Sequence, residues 1–116
     1  MSSTDWRFSL EQVRQNLPLD PAVLRAGYGL RHGTMRVGIY APQQVDAQQP
    51  HKQDELYIVI GGSGDFVKNG ERCRFAANDV LFVEAGSTHR FENFTEDFCT
   101  WVIFWGPEGG EAGADR

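Results

Sequence analysis

Three side chains carry the chemistry this sequence advertises. His51 and Glu55 lie at the head of the run Gln49-Pro50-His51-Lys52-Gln53-Asp54-Glu55-Leu56-Tyr57-Ile58-Val59-Ile60, and His89 heads a second run, Thr88-His89-Arg90-Phe91-Glu92-Asn93. Two imidazoles and one carboxylate are sufficient to hold a divalent metal ion with coordination positions left open. The two runs are far apart in sequence, so the set is a site only if a sheet brings them together.

Side chains alternate between faces along a strand. In a continuous strand, Gln49, His51, Gln53, Glu55 and Tyr57 share one face, and Lys52 and Asp54 the other. His89, Phe91 and Asn93 likewise share a face, with Arg90 and Glu92 opposite. Inward-facing histidines flanked by outward charges point to a lined cavity. Burying Glu55 without a cation beside it would be costly, or would force its protonation. Tyr57 and Phe91 are therefore expected to line that cavity, with Tyr40 and Arg36 sharing a face on an earlier strand. Arg36 can clamp a carboxylate, although a surface position is the expected one. In the last strand either the Cys99-Trp101-Ile103-Trp105 face or the Phe98-Thr100-Val102-Phe104 face looks inward; Trp101 is a pocket candidate with that choice open.

The elements that must position these groups are short and β-rich. Candidate strands cover Val23–Leu30, Met35–Ala41, Glu55–Ile60, Gly64–Lys68, Glu71–Phe75, Asp79–Val83, His89–Asn93 and Phe98–Trp105, with β-branched and aromatic stretches such as Tyr57-Ile58-Val59-Ile60. Asn69-Gly70 predicts a type I′ hairpin, because both residues tolerate positive φ. Gly61-Gly62-Ser63-Gly64 is a tight bend and not a phosphate loop, lacking the Lys-Ser/Thr and the helix that should follow. Ser9 and Gln12 form a capping box before a short helix that Pro18 terminates. About eight short strands and one small helix predict a β-sandwich or barrel. The expected organisation is an N-terminal segment over 1–21, a barrel over 22–105 and a flexible tail over 106–116.

These runs resemble the two motifs of the cupin superfamily, whose members are double-stranded β-helix (jelly-roll) barrels. His51, three residues, Glu55, six residues and Gly62 match the end of the first motif, with Gln49 in the place of its first histidine. Gly86, two residues, His89, three residues and Asn93 match the second, with Asn78 and Glu84 in the places of its leading Gly and its Pro. The resemblance covers roughly Met35 to Phe104. It implies an all-β jelly-roll fold and a homodimer. It also implies one divalent metal ion (Fe, Zn, Mn or Ni) on His51, Glu55 and His89, with Gln49 as a further candidate through its amide oxygen. The activities it admits include dioxygenases, isomerases and cyclases acting on a small organic molecule. A non-catalytic binding module and a metal-free barrel are the alternatives.

Bulk properties exclude other classes. The chain has 116 residues, enough for one core, and 41 % hydrophobic content, which is that of a globular domain. A net charge of −5 with scattered Lys and Arg leaves no basic patch for nucleic acid. No apolar run reaches the roughly 20 residues of a membrane span, and the first residues lack an apolar signal region, so a cytoplasmic protein is expected. Cys73 and Cys99 are expected to be buried reduced thiols. His32 is expected at the surface, and Asn93 in a structural role at a turn.

Overall fold

The computed structural model describes residues 6–20, 22–46 and 48–112. The ends of the expected N-terminal segment and tail, residues 1–5, 21 and 113–116, lie outside this set. The capping box forms as the sequence requires: the Gln12 amide N–H donates to Ser9 Oγ and the Ser9 N–H to Gln12 Oε1. It opens a five-residue helix, α1 (Leu10–Arg14), that turns Val13 inward.

Eight strands follow: β1 (Ala26–His32), β2 (Met35–Tyr40), β3 (Asp54–Gly61), β4 (Ser63–Lys68), β5 (Glu71–Ala76), β6 (Val80–Val83), β7 (His89–Glu92) and β8 (Cys99–Trp105). All pairings are antiparallel, in a five-stranded sheet ordered β1-β2-β8-β3-β6 and a three-stranded sheet ordered β5-β4-β7. This is the jelly-roll arrangement. Asn69 (φ 51°) and Gly70 (φ 82°) make the I′ hairpin between β4 and β5. At the β3–β4 bend, Gly62 (φ 83°) lies so close to the chain that an added Cβ would stand 2.6 Å from the Phe98 Cα.

The large sheet is covered on both faces, which is why β3 and β8 read as nearly continuous apolar runs. Its inner face meets the small sheet through Tyr57, Phe66, Phe75, Phe91, Phe98, Val102 and Phe104. Phe91 sits at the centre, with ring centroids 4.7–4.9 Å from Phe98, Tyr57 and Phe66. Its outer face is covered by α1 and the preceding chain, with Val13 and Leu17 against Ile39, Ala41 and Cys99. This settles the face of β8: Phe98, Thr100, Val102 and Phe104 point inward. Trp101 is not a pocket residue. It stands on the outer face, half-buried, in an edge-to-face contact with Phe8 at 5.7 Å.

Cys99 is buried, but Cys73 is exposed, contrary to expectation. Cys73 shares a face with Phe75, but β5 is an edge strand and does not pair with β6, so this face opens on a groove beside Leu81 and Phe82. His32 ends β1, exposed as expected. Asn93 takes a left-handed backbone (φ 51°) after β7 and donates to Asp65 Oδ2 at 3.0 Å. Residues 106–111, the described start of the expected flexible tail, are tied to the barrel. Gly106 N–H donates to Thr34 Oγ1, Gly109 N–H to the Lys52 carbonyl and Glu111 N–H to the buried carboxylate of Asp54. A glycine-rich composition suggested mobility; these backbone groups instead find partners at the rim of the barrel. No helix among the described residues is long and apolar enough to cross a membrane.

Candidate metal centre

Glu55 comes from β3 in the large sheet, His89 from the start of β7 in the small sheet, and His51 from the loop before β3. The loops carrying the histidines are tied to each other: Gly86 N–H donates to the His51 carbonyl at 2.7 Å, and Ala85 N–H to Asp54 Oδ1 at 2.9 Å. The two motifs, remote in sequence, thus meet at one end of the barrel.

Donor atoms of His51, Glu55 and His89 all lie within 4.8 Å of one another. Glu55 Oε1 is 3.2 Å from His89 Nε2 and 3.5 Å from His51 Nε2. Ligands about 2.0–2.2 Å from a shared ion, at octahedral or tetrahedral angles, stand about 3.0–3.5 Å apart, so the spacing is that of neighbouring ligands. The chemistry of the atoms agrees. His89 Nδ1 lies 3.0 Å from the Ser87 carbonyl, which can only accept, so Nδ1 carries the proton and the Nε2 lone pair faces Glu55. Glu55 Oε1 and His89 Nε2 are buried with no hydrogen-bond partner. Two buried acceptors facing each other need a cation between them, either a proton or a metal ion.

Gln49 is exposed and takes no part in the cluster. Strand geometry begins only at Asp54, so alternation does not extend back to residue 49. Its neighbour Gln48 reaches the centre instead. The buried carboxylate of Asp46 grips Gln48 twice, accepting from its backbone N–H at 3.1 Å and its amide Nε2 at 2.8 Å. The amide is thereby oriented, and Oε1 faces His51 Nε2 at 3.3 Å while accepting from the Tyr57 hydroxyl at 3.0 Å. Sequence reasoning missed both residues. The signal available was Asp46, an acid followed by Gln48 in a turn segment, a weak one.

Tyr57, Phe91 and Tyr40 are all buried; Tyr57 and Phe66 pack around His89, and Tyr57 packs on Phe91. Burial, reinforced by the Glu55 carboxylate, pushes the Tyr57 hydroxyl well above its ordinary range. Burial and the adjoining Asp46 do the same to Tyr40, which donates to Asp46 Oδ1. Both phenols are therefore neutral donors. Arg36, expected at the surface, is half-buried, with its guanidinium 4.5 Å from the Phe104 ring centroid.

The two histidines shift in opposite directions. Burial lowers the pKa of His51 below 6.5, with Glu55 opposing. Burial alone would lower that of His89 too, but the facing Glu55 carboxylate and the bond from Nδ1 to the Ser87 carbonyl outweigh it, and the net shift is upward from 6.5. In metal-free protein, the raised His89 pKa contributes stability that is complete below about 6.5 and is lost as pH rises through its folded value. The lowered His51 pKa adds a cost that appears as pH falls below about 6.5. Chelated protein should therefore melt at progressively lower temperature on the alkaline side of this window. Zn²⁺ affinity should rise over the same interval, because the metal displaces the His89 proton. Melting curves and competition titrations across pH check both; His89→Gln should remove the alkaline loss of melting temperature.

Comparison with known proteins agrees with this architecture. The chain is 38 % identical over 81 residues to the uncharacterized protein SCO3923 of Streptomyces coelicolor, covering 68 % of this chain and 77 % of the relative. It is 36 % identical over 72 residues to acireductone dioxygenase of Parvibaculum lavamentivorans, covering 58 % of this chain but only 39 % of that enzyme. A Cupin 2 conserved barrel domain protein from Salinispora arenicola superposes with a TM-score of 0.60 at 29 % identity, over 80 % of this chain and 83 % of that one. The sequence model of the cupin domain matches residues 36–105, from the second strand of the large sheet to the end of β8. With both motifs meeting at one end of a jelly roll, the chain belongs to the cupin family.

Proposed function

We propose that this cupin binds one divalent metal ion through His51, Glu55 and His89 and is a metal-dependent enzyme of dioxygenase type acting on a small organic molecule. The observation that carries the metal is the pair of buried, partnerless atoms Glu55 Oε1 and His89 Nε2, with His51 Nε2 completing the triangle. A bound ion would act as a Lewis acid toward an oxygen of the substrate, and two imidazoles with one carboxylate also suit iron and oxygen chemistry. The chain's own groups do the rest. Ser87 fixes the tautomer of His89, Asp46 and Gln48 orient the His51 side of the centre, and Phe91, Phe66 and Phe104 exclude water. The similarity to acireductone dioxygenase supports oxygen chemistry, over the 39 % of that enzyme that matches. We also propose a homodimer, supported by the open edge strand β6, which carries the exposed side chains Val80 and Phe82.

Elemental analysis of protein purified without chelator tests the metal reading. About one ion per chain is expected in the wild type and a small fraction of that in His51→Ala and His89→Ala. Equal metal content in all three proteins would refute the site. Oxygen uptake by the iron-loaded chain on catechol, flavonol and diketone substrates tests the chemistry, and sedimentation of the same samples reads the dimer.

A further inference from the structure

A cavity of about 430 Å³ opens beside His51, lined by Thr34, Arg36, Lys52, Gln53 and Glu108 among others. Arg36 is its half-buried cation. The guanidinium lies 4.5 Å from the Phe104 ring centroid and 5.1 Å from that of Tyr28, and among the described residues it makes one hydrogen bond, Nη2 to Gln53 Oε1 at 3.3 Å. Gln53 is itself fixed, donating to the carbonyls of Thr34 and Gly106. Arg36 is thus held between aromatic faces and a clamped amide, yet it joins no ion pair among the described residues. A partly desolvated guanidinium with most of its N–H donors unused, facing a cavity, is a preorganised anion site.

The sheet register places this cation relative to the candidate metal centre. Arg36 on β2 pairs with Phe104 on β8, and Phe104 pairs with Glu55 on β3. Residues directly opposite one another share a face, and adjacent strands are about 4.8 Å apart, so Arg36 and Glu55 project from the same inner face about 10 Å apart. The Phe104 ring lies between them, touching Arg36 with its face and His51 in an edge-to-face contact at 4.8 Å.

We propose that Arg36 seats the carboxylate of an organic acid, so that the small molecule handled by this cupin is a carboxylate whose other end reaches His51, Glu55 and His89. The placement of that other end rests on the metal reading above; the anion seat does not. A single guanidinium fork, with Lys52 at the rim and the Glu108 carboxylate on the same cavity wall, suits a planar, singly charged group rather than a phosphate dianion.

The test titrates the full chain, metal-free and Zn²⁺-loaded, with benzoate and with its neutral isostere benzamide, read by calorimetry and by the NMR signal of the Arg36 Nε–H. Benzoate should bind at least about 10-fold more tightly than benzamide, a gap of about 1.4 kcal/mol. Arg36→Met should erase that preference, and Arg36→Lys, which keeps the charge without the fork, should leave part of it. Metal content and urea midpoints are recorded for every sample. Equal binding of the two probes by the wild type, or a benzoate preference that survives in Arg36→Met, would overturn the seat. If Arg36→Met does not fold, an Arg36→Lys variant indistinguishable from wild type overturns it equally. A chain that binds no metal yet shows the Arg36-dependent preference would sink the metal reading alone.

Discussion

Glu55→Gln is expected to lower Zn²⁺ affinity by more than about 100-fold, since losing even an outer-shell partner of a metal ligand costs about 10–100-fold. The same substitution should leave the metal-free protein at least as stable as wild type at a pH where His89 is neutral. Glu55 is 1 % exposed and its Oε1 has no donor, so the buried carboxylate is a burden on the fold unless a cation compensates it. Glutamine keeps the shape and removes the charge. Opposite signs in the two measurements, metal titration and denaturation with chelator, separate a ligand from a structural carboxylate. A Glu55→Gln protein that is destabilised without metal yet retains full metal affinity would show that Glu55 serves the fold and not the ion.

Asp46→Ala should cost about 2–4 kcal/mol of stability, because it strands several buried donors at once. Asp46 accepts from the Tyr40 hydroxyl, from the backbone N–H of Phe91 at 2.8 Å, and from both the backbone and the amide of Gln48. It therefore joins the loop before β3, the strand β2 and the strand β7 at the depth of the barrel. Its loss should also weaken metal binding by about 10-fold through the freed Gln48 and the loosened His51. Urea unfolding and a metal titration of one preparation read both effects. Unchanged stability would show that water can replace the carboxylate.

Much of this was legible because alternation and turn chemistry are local. The Asn69-Gly70 hairpin, the Gly62 bend and the Ser9–Gln12 cap need only neighbouring residues, and all three formed as read. The motif spacing of His51, Glu55 and His89 carried across the chain because the jelly roll fixes where the starts of β3 and β7 meet. Gln49 lies outside the centre because strand alternation does not run back through Pro50: β3 begins only at Asp54. Gln48 and Asp46 could not be found by period, since their positions depend on a tertiary grip of one side chain upon another. The place of Trp101 stays open in the sequence for a related reason: β8 is apolar on both faces, so its pattern contains no inward direction until α1 is known to cover one of them. The half-burial of Arg36 arises likewise from its neighbours on β8 and β1, which the order of residues does not disclose.

The strand order has a consequence for how the protein comes into being. β8 is made last of the eight strands, yet it lies in the middle of the large sheet, pairing Tyr40 with Thr100 and Glu55 with Phe104. Until it emerges from the ribosome, β2 and β3 have no partner between them, and the aromatic floor shared by His51 and Arg36 is missing. With synthesis at about 5–20 residues per second, the nascent chain spends seconds as an open half-barrel with unpaired edges. Closure must then wait for contacts of long sequence separation, which form slowly. The ligand triangle is thus assembled only once β8 has emerged, and a metal ion offered earlier would meet His51, Glu55 and His89 before the sheet that spaces them exists.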